Sequence, residues 1–172
     1  MPRIRSWSLV GLAVATLGLA GCSSASSSPS TTAASLVIVP VQNPSPAGTF
    51  GTKPTVTVPP GAPPTQLEST DLIVGTGPAA KAGDNATVQY VGVAYSSKQQ
   101  FDASWDRGQA FVFVLGKGAV IPGWDHGVVG MKVGGRRELV IPPSLAYGSM
   151  SPGNGIAAND TLIFVVDLVK IG

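Results

Sequence analysis

The spacing of apolar residues divides the chain into three stretches. Residues 7–20 form a nearly unbroken apolar run, residues 23–64 hold few large apolar side chains and follow no period, and from residue 67 short β-rich runs alternate with glycine-containing breaks. Within the last stretch, 67–74 (LESTDLIV) leads into the turn sequence GTGP, 86–94 (ATVQYVGVA) alternates as a half-buried strand does, and 110–115 (AFVFVL) is rich in β-formers. Residues 138–141 and 162–171 supply two more strands. One helix is predicted between them. Pro122 suits a first helical turn, where its missing N–H costs nothing, Gly130 can end the helix, and Trp124 and Val128 then lie four apart on one face. Gly127 lowers the helix's intrinsic stability by ~1 kcal/mol relative to Ala, so packing on a sheet has to hold it. The pattern predicts an α+β fold, an antiparallel sheet with one short helix.

Composition sharpens the division. Residues 23–64 are dominated by Ser, Thr, Pro, Ala and Gly, with one Lys and no acid, a mixture that buries too little apolar surface to offset its ordering entropy. The sequence therefore predicts a disordered, locally stiff tether over 22–66, in which 36–40 (LVIVP) forms at most a transient strand, and a single globular domain over 67–172. The apolar run at 7–20 follows the basic start MPRIR and is too short to span a bilayer comfortably, which fits a secretory signal over 1–21. Its end, Leu19-Ala20-Gly21-Cys22, resembles the lipobox of bacterial lipoproteins, in which the Cys becomes the lipid-modified first residue. Cys22 is the only cysteine, so no internal disulfide can form. The resemblance implies two or three acyl chains (palmitate among them), membrane attachment through Cys22, and a place on the outer face of the cytoplasmic membrane in the cell envelope.

Loss of the signal removes Arg3 and Arg5, so the 11 Lys and Arg become 9 and balance the 9 Asp and Glu. The small basic cluster Lys132, Arg136 and Arg137 is no electrostatic footprint for phosphates, and no nucleic-acid partner is expected. Gly75, Gly77 and Ala80 imitate a dinucleotide fingerprint, but no helix or βαβ pattern follows, and a turn is the better reading. The single histidine, His126, has no second His or Cys in the domain with which to build a metal or nucleophile site, and an exposed helix position is expected for it. No cofactor or metal is expected. Asn85 and Asn159 open N-x-T sequons, which matter only in eukaryotic secretion.

What remains is the stretch 101–148. It carries Phe101, Phe111, Phe113, Ile121, Trp124 and Tyr147, with Asp102 beside the first, and no nucleophile, base or metal cluster. Such a set suits a mostly apolar cleft with few polar groups. Asp102 is a turn acid within reach of Arg107, and a pairing that holds it for structure also positions it at the cleft edge.

The motifs VQYVGVA, FDASWDRGQAFVFVLG, VIPGWDHGVVGMKVGGRR and LAYGSMSPGNGIAANDTLIFVVDLVKI, in this order, resemble the FKBP-type peptidyl-prolyl isomerases over essentially all of 67–172. The resemblance implies a curved five-stranded antiparallel sheet wrapped on one short helix. It also implies a cleft built from Tyr90, Phe101, Asp102, Arg107, Phe111, Val120, Ile121, Trp124, Tyr147, Ile156 and Phe164, with Trp124 as its floor. The Ile121 amide and the Tyr147 hydroxyl are implied to bond substrate carbonyls, and Asp102, steadied by Arg107 and Tyr90, to sit near the twisting carbonyl; Phe111 and Tyr90 help hold the proline ring. Pro152 and Gly155 depart from the family's pattern in the flap after Tyr147, which bears on tight macrolide binding more than on catalysis. The function implied is isomerisation of X-Pro bonds in exported, folding polypeptides, with a monomer as the default; the alternative is a non-catalytic proline-peptide-binding or chaperone module using the same cleft.

Overall fold

A computed structural model describes residues 36–172. The expected signal run and Cys22 lie outside the described residues. Among the described residues no helix is long and apolar enough to cross a membrane.

The strands are β1 (Ile38–Val39), β2 (Leu67–Ile73), β3 (Asn85–Ala94), β4 (Gln100–Ala103), β5 (Phe111–Val114), β6 (Arg136–Ile141) and β7 (Leu162–Ile171), and they form one sheet in the order β1-β2-β6-β7-β3-β4, with β5 also on β3. All pairs are antiparallel except β1 with β2. β5 pairs with the first half of β3 and β4 with the second, so the two make one interrupted edge strand. Counted so, the expected five strands are present, and β1 is an addition.

Helix α1 (Pro122–Gly127) crosses the inner face of this sheet. Six residues cannot hold a helix unaided. Its two interior-facing glycines explain how packing does so: a Cβ on Gly123 would lie 2.3 Å from Ile141 Cγ2, and one on Gly127 2.6 Å from Leu139 Cδ2. The helix backbone therefore rests directly on β6. Val128 ends the helix, its N–H donating to the Trp124 carbonyl, and Gly130 follows at φ +80°. Arg137 donates to the carbonyls of Gly127 (2.8 Å) and Val129 (3.1 Å) and pairs with Asp71, which ties the helix end to β2. Leu139 and Ile141 of β6, Val88 and Tyr90 of β3, and Leu162, Phe164, Val166 and Leu168 of β7 complete the core beneath α1.

The expected tether is the main correction. Residues 36–66 do not hang free; they run across the outer face of the sheet as an ordered strap. Val41, Val56 and Val58 pack on Tyr95, Val140 and Ile163, and the latter two valines also on Val91, Val93 and Ala103. The strap needs no core of its own because it borrows the outward side chains of β3, β6 and β7. Its backbone, which forms no ladder beyond β1, is satisfied by side chains of the sheet. Arg136 and Asp167, fully buried, form a bidentate pair at 2.5 and 2.8 Å. Arg136 also donates to the carbonyls of Ala47 (2.9 Å) and Thr52 (2.6 Å), and Asp167 accepts from Gly51 N–H (3.0 Å). Glu138 accepts from Ser45 N–H at 2.5 Å, Ser45 Oγ accepts from Thr57 N–H at 2.9 Å, and Tyr95 donates to the Pro59 carbonyl at 3.0 Å. Composition misleads here for a physical reason. Proline restricts the free chain and lowers the entropy lost on docking, while three valines suffice when the partner surface is already built.

Burial under the strap pushes the Glu138 carboxyl above its usual 4.5, against the opposing hydrogen bond from Ser45. The folded state thus binds this proton more tightly than the unfolded chain. The stability contribution is full below 4.5 and is lost as pH rises through the raised value. In urea unfolding at a series of pH values, the stability of the native chain relative to Glu138→Gln should fall as pH rises above 4.5. A difference that is flat, or that grows with pH, would contradict burial of this carboxyl by the strap.

Candidate active site

The inner face opens beside α1 into a cleft of about 240 Å³, lined by Tyr90, Phe101, Asp102, Phe111, Val120, Ile121, Trp124, Tyr147 and Phe164, with Ala119 at the rim loop. Trp124 forms its base. The indole makes edge contacts with Tyr90 (centroids 5.1 Å apart, 89°), Phe164 (5.2 Å, 89°), Phe113 (5.6 Å, 63°) and Phe111 (6.2 Å, 79°). Edge-to-face contacts set ring edges against ring faces and fix orientation as well as distance. Trp124 is 4% exposed, so its ring is held by the core on every side but the cleft.

A β-bulge builds the polar wall. Gly92 pairs with Asp102 but Val93 with Gln100, which leaves Phe101 as the extra residue. The kink turns Phe101 and Asp102, neighbours that regular pleating would send to opposite faces, into the same cleft. Ala103 resumes the alternation and points to the strap side. Gly92 makes room for this wall: a Cβ there would lie 2.6 Å from Phe101 Cζ and 2.8 Å from Phe164 Cε1, the two rings that meet edge to face at 5.5 Å.

Asp102 is gripped from two sides. Tyr90 donates its hydroxyl to one carboxylate oxygen, Arg107 donates Nη1 to the other, and Arg107 Nη2 donates to the Tyr90 oxygen at 2.9 Å. Burial, then the hydrogen bond to Asp102, hold the Tyr90 phenol above its usual 10.0, and the Tyr90 hydrogen bond holds the Arg107 guanidinium above the ordinary guanidinium range. Arg107 stands on a 3₁₀ turn, Trp105–Arg107, whose preceding residue Ser104 is fully buried and accepts from Tyr90 N–H at 2.8 Å.

The opposite wall is set by Asp125. This carboxylate accepts from the N–H groups of Gly116 (2.9 Å) and Gly118 (2.6 Å), both glycines at positive φ, and so shapes the loop that delivers Ala119, Val120 and Ile121. Ile121 precedes the helix, its carbonyl accepting from Trp124 and Asp125 N–H. Among the described residues its own N–H makes no hydrogen bond, and neither does the Tyr147 hydroxyl. In the flap, Gly153 and Ile156 bridge across Asn154 (φ +53°) and Gly155 (φ +83°), a two-residue turn that demands positive φ at both positions. This turn accounts for Gly155, one of the two positions that depart from the family's pattern.

Ten of the eleven cleft residues expected from sequence are thus brought together, Arg107 through its contact with Asp102. Ile156 is the exception: it is 6% exposed and packs in the core cluster with the cleft residues without itself lining the cleft. Ala119 and Asp125 escaped sequence reasoning. The signal for Asp125 was the Gly116-x-Gly118 pair seven to nine residues before it, two turn-forming glycines in need of an acceptor.

A profile of the family described as FKBP-type peptidyl-prolyl cis-trans isomerase matches residues 77–169. The chain belongs to this family. It is 57% identical over 120 residues to an FK506-binding protein of Streptomyces anulatus, covering 69% of this chain and 97% of that one. It is 45% identical over 118 residues to a probable FK506-binding protein of Corynebacterium glutamicum, covering 69% and 98%. Among solved structures the crystal structure of AtFKBP13 aligns with a TM-score of 0.57 at 35% identity over 64% of this chain and 96% of that one. FkpA from Escherichia coli aligns at 0.56 and 41% identity, over 62% and 48%. The chain is an FKBP-type peptidyl-prolyl cis-trans isomerase with the FKBP-like α+β fold.

For this isomerase the Gly92 contact gives a direct test of the cleft wall. Gly92→Ala should displace Phe101 or Phe164 and destabilise the fold by about 1–3 kcal/mol, the cost of overpacking. Turnover of a proline peptide should fall at temperatures where the variant is fully folded. Unchanged turnover in a folded Gly92→Ala variant would show that the Phe101 wall is dispensable.

Proposed function

We propose that this isomerase acts on proline-containing polypeptides as they fold outside the cytoplasmic membrane, held there by a lipid on Cys22. The observation that supports the catalytic part is the aromatic cleft with a single fixed carboxylate at its edge. Rotation about an X-Pro bond is opposed by a barrier of ~18–20 kcal/mol, the resonance energy of the amide, and no bond need be made or broken to lower it. Water on the carbonyl favours the planar, charge-separated amide. Transfer into an apolar cleft removes that water and favours the twisted form, at ~1.4 kcal/mol per tenfold in rate.

In this scheme the proline ring stands on Trp124 between Tyr90, Phe111 and Phe164. The Ile121 N–H and the Tyr147 hydroxyl, both without partners among the described residues, donate to the carbonyls flanking the proline. Asp102 faces the twisting carbonyl as a fixed dipole partner, with Tyr90 and Arg107 holding both its oxygens. Val120 and Phe101 close the sides, and Ile156 supports the flap from beneath. The expected outcome in a tetrapeptide isomerisation assay is a fall in kcat/KM of about tenfold for Asp102→Asn, ~1.4 kcal/mol, and a larger fall for Trp124→Ala. Activity in the Asp102→Asn, Trp124→Ala double variant equal to that of wild type would remove the cleft from the mechanism, whereas a wild type no faster than the uncatalysed reaction would leave the chain a binding module.

The cellular part rests on the sequence resemblance of residues 19–22 to a lipobox. The strap is docked from Leu36 onward, and the 14 residue steps from Cys22 to Leu36 span at most about 50 Å at ~3.6 Å per residue. The domain would therefore work close to the membrane surface. In the source cells, Cys22→Ala should move the protein from the membrane fraction to the soluble fraction and abolish palmitate labelling. A membrane-bound, unlabelled wild type would sink the anchor.

A further inference from the structure

The strap and the cleft lie on opposite faces of the sheet, yet one side chain of the strap reaches the polar wall. Lys53 Nζ meets Asp106 Oδ1 at 2.6 Å, and Gln100 Nε2 donates to Asp106 Oδ2 at 2.8 Å. Asp106 lies in the 3₁₀ turn beside Arg107, and Gln100 begins the bulged strand that carries Phe101 and Asp102. The Asp106 carboxylate thus closes the segment 100–106 into a ring, with Lys53 as its outside tie. Lys53, then Gln100, holds the Asp106 carboxyl below its usual 3.8.

An exposed ion pair ordinarily contributes little, because two flexible side chains must be held in one geometry. Here the lysine has a fixed root. Gly51 N–H is bound by buried Asp167, the Thr52 carbonyl by buried Arg136, and Pro54, the next residue, is buried. The turn is also gripped from beneath, since Trp105 packs into the same apolar cluster as Val56 and Val58 of the strap. A continuous path of contacts therefore runs from the Arg136–Asp167 pair through Gly51 and Thr52 to Lys53, then Asp106, then Arg107 and Asp102.

We propose that Lys53 is a positioning residue for isomerisation: through Asp106 it fixes the turn from which Arg107 clasps Asp102, so that the strap on the outer face sets the geometry of the polar wall on the inner one. The proposal rests on the role given above to Asp102. Neither Lys53 nor Asp106 touches the substrate. Loss of the tie should let the turn sample orientations in which Asp102 is misplaced, lowering kcat with little change in KM.

The test uses the full chain in the proline-peptide assay. Lys53→Ala should lower kcat by about two- to fivefold, the range of an exposed pair, with KM within about twofold of wild type. Lys53→Arg should restore it, and Lys170→Ala, an exposed lysine remote from the turn, should leave it unchanged. Lys53→Ala combined with Asp106→Asn should be no slower than either alone, because both remove one interaction. In 1 M salt, where the Debye length is about 3 Å, wild-type kcat should approach that of Lys53→Ala, whose own kcat should not respond. A Lys53→Ala variant with wild-type kcat and a lowered melting temperature would make the tie purely structural and overturn the proposal, as would losses that multiply in the double variant. The two layers separate cleanly: full activity in Asp102→Asn discards the role of Asp102, whereas an impaired Asp102→Asn beside an unimpaired Lys53→Ala discards only the tie.

Discussion

Helix α1 meets β6 through two glycines, and the cleft exists because of that contact. With any larger residue at 123 or 127 the helix would stand off from Ile141 and Leu139, and Trp124, on the same short helix, would leave the four rings that orient it. Two glycines cost such a helix about 1 kcal/mol each in propensity, whereas a fully buried large apolar side chain contributes about 1.5–3 kcal/mol. Packing wins, and it dictates position as well as stability. The same helix carries Asp125, which shapes the loop on one side of the cleft, and follows Ile121, a lining residue whose N–H has no partner among the described residues. Floor, side wall and donor are thus consequences of one helix lying flat.

The outer face obeys a different constraint. A strap of coil laid over a sheet cannot make a ladder with it, since the sheet's own N–H and C=O groups are already paired. Side chains that reach upward from the sheet satisfy part of its backbone, and so Arg136, Glu138 and Asp167 stand on outward positions and yet are buried. Burying an ion pair costs desolvation that good geometry only offsets. The bidentate Arg136–Asp167 contact, with further bonds to Ala47, Thr52 and Gly51, supplies such geometry; Glu138, with one oxygen unpaired and its carboxyl pushed up, does not reach it. The strap is held firmly at one point and less so at another.

Sequence made the inner face legible because every rule it follows is local. Alternation marked the strands, Pro122 and Gly130 bracketed the helix, and the aromatic set of 101–148 foretold an apolar cleft, to which the family resemblance added Tyr90 and Phe164. What was not legible depends on partners distant in the chain. The strap reads as a tether because Val41, Val56 and Val58 become core only against Tyr95, Val140 and Ile163, and Ser45 finds its partner 93 residues away. The bulge at Phe101 is invisible without the register of β3. Ile156 falls on a flap whose tight Asn154-Gly155 turn carries it into the core, and the role of Asp125 appears only once Gly116 and Gly118 are folded against it.

The absence of a nucleophile in this cleft has a counterpart in its proton chemistry. Tyr90 holds its proton above the ordinary phenol range and Arg107 above the ordinary guanidinium range, the first mainly through burial and the second mainly through Tyr90 itself. The two donors around Asp102 are therefore harder to deprotonate than free side chains, and both carboxylate oxygens are engaged. A carboxylate with both oxygens so engaged is held in place as a fixed charge. In the proposed scheme that is what isomerisation calls on, because the transition state differs from the ground state in the direction of a carbonyl dipole and not in the place of any proton. A wall made of a bulged edge strand and a single 3₁₀ turn is a weak place from which to hold it. Support from the far side of the sheet, where the strap is rooted in the buried Arg136–Asp167 pair, answers that weakness without placing any additional group in the cleft.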